Sequence, residues 1–173
     1  MGFMLKQLFA FVKLLNSDTG INQIAAGITA GLFWGFSPFL SLQGLAMLVI
    51  VFFFRIQIGA AMIFMVLFSL IAWAIDPAAH LLGAWALELS SLQQLYTSLY
   101  NLPLVPLTRF NNSIVMGSFI LALILSPFVF IGSRFLVAKY RLHILERFKE
   151  SKAFKALKAS PIYNLYLKYA ELY

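Results

Sequence analysis

Apolar residues run along most of this chain in blocks, and the polar or turn-forming clusters between the blocks define the elements. In residues 1–16, Lys6, Ala10, Lys13 and Ser17 fall on one narrow face, while Phe3, Met4, Leu8, Phe11, Val12 and Leu15 cover much of the rest. That pattern predicts a helix lying in a membrane interface. Asn16-Ser17-Asp18-Thr19-Gly20 reads as a turn that offers several N-caps to the next helix. Residues 21–36 then form an apolar helix that ends at Ser37-Pro38, and Leu40–Phe54 form a second before Arg55. Runs of about 15 residues reach roughly 22 Å, short of the ~30 Å hydrocarbon core. Residues 21–54 therefore predict a short-helix hairpin, either re-entrant or crossing a locally thinned bilayer. Its polar tip would carry Ser37, Ser41 and Gln43, because non-helical backbone at that depth must be buried in protein or line a wet cavity.

The next block, residues 56–75, has only Gln57 and Ser69 as polar side chains and is long enough to span. It is expected to stop at Asp76-Pro77, where Asp can cap and Pro can begin a new helix. In Ser90–Tyr100, Leu92, Leu95, Tyr96 and Leu99 follow the i, i+3, i+4, i+7 pattern opposite Gln93, Gln94, Thr97 and Ser98, which predicts a short interfacial helix. Asn101, Pro103 and Pro106 break it, and Asn111-Asn112-Ser113 begin a final span over 114–136, expected to kink near Ser126-Pro127. The fold expected is an all-α integral membrane protein: a short-helix hairpin, re-entrant in the preferred version, plus two full spans with flanking interfacial helices. Four spans would satisfy the same pattern. Residues 1–138 make the membrane domain, with 78–112 as an extracytoplasmic segment, and 139–173 form a basic tail.

Composition sharpens the picture. Of 173 residues, 62% are hydrophobic and 11% charged, where soluble domains carry about 25% charged residues. A globule of this size cannot hide so much apolar surface from water, which leaves no room for a separate soluble domain. With no cysteine, disulfides and thiolate metal sites are excluded. Two His and six Asp or Glu leave little material for catalysis, so no enzyme activity, cofactor or metal is expected. Between Ile21 and Ser133 the ionised side chains are Arg55, Asp76, Glu88 and Arg109, while basic residues crowd the chain from Arg134 onward. Excess Lys and Arg marks the cytoplasmic side, which places both termini there and residues 76–112 opposite. The net charge of +7 belongs to that membrane-flanking tail, which lacks a nucleic-acid-reading motif. Lys13 interrupts the apolar stretch near the start, and no small-residue cleavage pattern follows, so a signal peptide is not expected.

Gly27, Gly31, Phe33, Gly35 and Pro38 spell G-x-x-x-G-x-F-x-G-x-x-P, and Arg55 follows after a long apolar run. This pattern resembles the bacterial membrane family known as domain of unknown function 2062. The resemblance is closer to a short subgroup encoded as a two-gene pair with a larger protein in bacteria that have an outer membrane. It is carried by Leu14–Gly20, Ser41-Leu42-Gln43, Asp76-Pro77, Leu99–Pro103, Leu107–Ser113 and Met116-Gly117-Ser118. Asp76-Pro77 departs from the Asn-Pro of the broader family. The resemblance implies a small inner-membrane protein with a larger envelope partner and no established activity.

Gly27, Gly31 and Gly35 share one helix face with Ala30 beside them. Small-xxx-small faces let helices approach closely in a bilayer, so with Pro38 they are candidates for helix packing within the chain or for a partner interface. Asp76 and His80 stand at i, i+4 with Glu88 further on, a spacing that could gather metal ligands, but a cap, an interfacial His and an exposed Glu are the simpler reading. Arg55 fits a headgroup boundary. Arg109, Asn111 and Asn112 could grip a headgroup or a partner loop, or simply cap the loop. The function expected is an inner-membrane subunit that anchors a larger envelope partner and takes part in phospholipid transfer toward the outer membrane. The alternative is a stand-alone oligomeric pathway for a small solute or ion, with Ser37, Ser41 and Gln43 lining it.

Overall fold

The computed structural model describes Leu15 and residues 19–145. The expected helix over 1–16 and most of the basic tail lie outside the described residues. Among these residues all regular structure is helical: α1 (Ile21–Phe36), α2 (Leu42–Phe53), α3 (Ile58–Glu88), α4 (Gln93–Tyr100) and α5 (Ser113–Lys139), with 3-10 turns at Ser90–Leu92 and Val105–Thr108. A π-helical turn, Tyr140–Leu145, follows α5.

The helix boundaries follow local chemistry. α1 ends because Ser37 precedes Pro38 and is extended, with φ −125° and ψ 152°, the region a residue before proline prefers. Ser41 N-caps α2, its Oγ accepting from Gly44 N at 3.2 Å. α2 closes in a Schellman turn. Ile56 N donates to Val51 O at 2.9 Å and Arg55 N to Phe52 O at 3.3 Å, while Ile56 packs on the cluster that contains Val51. Asn112 N-caps α5, accepting from Ile114 N and Val115 N.

Neighbouring residues give the helix directions. Gly27, Gly31 and Gly35 of α1 face Gln57 and Ala60, then Ala61 and Phe64, then Phe68 and Ser69 of α3. The paired numbers rise together, so α1 and α3 run parallel. α5 runs antiparallel to both: Val137 clusters with Ile24, Ile28 and Ala60, whereas Ala122 clusters with Leu32, Phe36 and Ala72. α1, α3 and α5 thus form a three-helix core. α2 lies outside it as the return arm of a hairpin, and Gln57 N donates to Gln23 O at 3.3 Å where that arm arrives back beside the start of α1.

The expected break at Asp76-Pro77 is not there, and α3 continues through Pro77 to Glu88, 31 residues in all. An interior proline costs about 3 kcal/mol. What outweighs it is packing beyond the proline, where Ala79, Gly83 and Ala86 are all buried. The span read over residues 56–75 is therefore the first part of a longer helix, and residues 78–88 continue it instead of starting a new helix at Pro77. α5 likewise runs through Pro127.

α3 and α5 are both long and apolar enough to cross a membrane. At 1.5 Å per residue they reach about 46 and 40 Å, against about 24 Å for α1 and 18 Å for α2. Large apolar side chains stand out from the bundle, with Trp73 79% and Phe53 78% exposed, an arrangement that water does not favour.

Candidate functional site

The hairpin tip is a tight return built on Gly44. A Cβ there would collide with the backbone oxygen of Phe39, so only glycine lets α2 start so close to the chain leaving α1. Ser41 fixes the turn from inside, donating through Oγ to Pro38 O at 2.6 Å while its backbone N donates to the same oxygen at 3.0 Å. Trp34 joins the two arms, its Nε1–H donating to Gly44 O at 3.0 Å and its indole meeting the Phe39 ring edge-on at 5.5 Å.

A loop from the far end of the bundle reaches this tip. Gln43 Nε2 donates to Thr108 O at 2.6 Å. Thr108 can be there because Leu104 and Arg109, on either side of the 3-10 turn Val105–Thr108, both adopt left-handed backbone with φ 73° and 56°. The loop is braced in turn by Phe110 against the rings of Tyr96 and Tyr100, and by Tyr96 Oη donating to Ala86 O.

Ser37 Oγ and Gln43 Oε1 are shielded and have no hydrogen-bond partner. Both residues line a cavity of about 320 Å³ between α1, α2 and α5, walled by Phe33, Trp34, Phe119 and Leu123. A second hollow of about 350 Å³ shares Phe33, Met47 and Ile50 with the first and continues to Ala26, Thr29 and Pro127. Together they form a groove along α1, mainly apolar; away from the tip its hydroxyls are those of Thr29 and Ser126, which donate to Ala25 O and Leu123 O.

The sequence matches a family of uncharacterised proteins conserved in bacteria, domain of unknown function 2062, over residues 5–145. The chain belongs to this family. It is also similar to an uncharacterised protein of Treponema pallidum (strain Nichols), 26% identical over 159 residues that cover 92% of this chain and 98% of that one. No solved structure matches it.

In this member of the family, Gly27, Gly31 and Gly35 are covered by α3, so the glycine face is an internal packing seam. Ser37, Ser41 and Gln43 come together at the tip, where Pro38, grouped in the sequence with the glycine face, accepts from Ser41. Arg55 sits apart at the base of the hairpin, exposed and left-handed with φ 51°. Asn112 is the α5 cap, and Asn111 and Arg109 are exposed in the loop beside it. Asp76, His80 and Glu88 share one helix, but His80 Nδ1 is engaged with Ser113 Oγ at 2.6 Å. Among the described residues no three such groups are placed to hold a metal ion.

Two contributors escaped sequence reasoning. Trp34, which pins the tip, reads in sequence as one more apolar residue. Gly83 and Gly117 form a second close helix crossing. The signal for it, Ala79, Gly83 and Ala86 at small-residue spacing, lay beyond the proline taken as the helix end.

Proposed function

We propose that this protein is an inner-membrane subunit that anchors a larger envelope partner and takes part in moving lipid toward the outer membrane, with the hairpin 21–54 re-entrant from the basic side. The observation that carries the reading is the height of the tip. Phe36 clusters with Ala72 while Gln57 returns beside Gln23, so the end of α1 stands roughly 21 Å above Ile58 by helical rise, and the tip follows it. α3 continues well past that level.

If Ile58 lies at one boundary of a ~30 Å core, the tip stands inside the core, past its centre and short of the far boundary. Arg55, Arg134, Lys139 and Arg141 gather at the base, and the loop bearing Arg109 closes the other end. That charge distribution supports a cytoplasmic base and both termini on that side. Irregular backbone inside the core is tolerated where it is buried or lines a cavity; here Ser41 is buried and Ser37 lines the cavity, while Phe39 and Leu40 turn apolar side chains outward.

The groove favours lipid over a dissolved solute. Its walls are mainly apolar and lie between helices at the periphery of the bundle, where acyl chains are the adjoining solvent. A solute pathway would use the same two orphaned oxygens, but along the groove it would meet aromatic and aliphatic side chains. Mild extraction of the tagged chain from its native membrane, followed by mass spectrometry of proteins and lipids, tests the reading. A stoichiometric larger protein together with co-purifying lipid is expected. A chain that emerges alone and lipid-free contradicts it.

A further inference from the structure

The amide of Gln43 has a fixed orientation. Thr108 O can only accept, so Nε2 must face it, and Oε1, an acceptor with no donor of its own, is left for the cavity. Ser37 Oγ is the other unpartnered atom. Shielded polar atoms without partners are costly, and what this site lacks is a donor. None of the residues lining either hollow is charged, and an unpaired phosphate in such surroundings is strongly disfavoured.

The groove runs from Ala26 to Ser37 along α1, about 16 Å by helical rise. That is close to half of the ~30 Å hydrocarbon core, the depth of one leaflet. Each hollow holds the volume of about ten waters, and its walls offer an aliphatic chain apolar contact along its length.

We propose that the groove binds a lipid with an uncharged hydroxyl head, of the diacylglycerol type. One acyl chain lies along α1 between α2 and α5, and the hydroxyl donates to Gln43 Oε1 while it exchanges a second hydrogen bond with Ser37 Oγ. The inference rests on the lipid-handling reading above and names the class of lipid that site takes. A bare phosphate head is rejected for want of a cation, and a head that only accepts leaves Oε1 unpaired.

Trp34 lines the cavity and is buried, whereas Trp73 and Trp85 are exposed. The full chain carrying Trp73→Phe and Trp85→Phe therefore reports from the groove through one indole. It is titrated in neutral micelles with three matched probes brominated in one chain: diacylglycerol, its methyl ether and phosphatidic acid. Saturable quenching by diacylglycerol is expected, with the ether and the phosphate about 2- to 10-fold weaker. Ser37→Ala with Gln43→Leu should erase the preference for diacylglycerol over the ether. If loss of the Thr108 bond unfolds that variant, Ser37→Ala alone should reduce the preference. Equal affinity for all three probes, or a preference that survives Ser37→Ala undiminished, overturns the hydroxyl assignment and leaves lipid binding standing. No saturable quenching by any probe overturns groove occupancy and removes the groove as support for the lipid reading.

Discussion

Gly83 of α3 and Gly117 of α5 cross with no side chain between them. A Cβ on Gly83 would collide with Ser113 O, and one on Gly117 with Ala79 O. Backbone atoms cannot step aside as a flexible side chain can, so Gly83→Ala or Gly117→Ala should force the two long helices apart. Overpacking of this kind costs about 1–3 kcal/mol. Gly132 has nothing within 4 Å of an added Cβ, and Gly132→Ala is the matched control. Thermal melts in detergent should show a clear loss for the first two variants and none for the third. Equal behaviour of all three would contradict the crossing.

Arg55 occupies the left-handed position of the Schellman turn that ends α2, with φ 51°, where glycine has no Cβ penalty. For a non-glycine residue that conformation costs about 1–2 kcal/mol. Arg55→Gly should therefore raise the melting temperature in neutral detergent, while Arg55→Ala should not. A drop with Arg55→Gly would mean that the guanidinium makes a stabilising interaction larger than the backbone strain.

Ser41 is 2% exposed and its Oγ makes two of the bonds that hold the tip, to Pro38 O and from Gly44 N. Loss of an N-cap costs about 0.5–2 kcal/mol. Ser41→Ala is expected to fall in that range by thermal melt and to speed proteolysis between Pro38 and Gly44 in micelles. Unchanged cleavage would show that Trp34 and Gly44 suffice to keep the turn closed.

Much of this was legible in sequence because the information was local. The hairpin's ends are set by Ser37-Pro38 and by the polar residues around Arg55, and the glycine face at 27, 31 and 35 announces a close neighbour without saying which. The structure supplies the neighbour, α3, which the sequence could not name because helix pairing depends on contacts between distant segments. Pro77 misled for the same reason. Its local penalty is plain in the sequence, whereas the compensating fit of Gly83 against Gly117 involves residues far apart in the chain. The bond from Gln43 to Thr108, 65 positions later, has no sequence signature at all. It depends on two non-glycine residues, Leu104 and Arg109, accepting left-handed backbone.

The height of the hairpin tip is the point on which the account turns, and the native chain, having no cysteine, is suited to measuring it. Leu40 is at the tip and 87% exposed, so a nitroxide on Leu40→Cys disturbs no packing, and Arg55→Cys gives the reference at the base. Power-saturation depth measurement in bilayers should put the Leu40 label inside the hydrocarbon core, with high oxygen and low polar-reagent accessibility, and the Arg55 label at headgroup level. A Leu40 label at the opposite headgroups would mean that residues 21–54 cross completely, and the re-entrant hairpin would have to be abandoned.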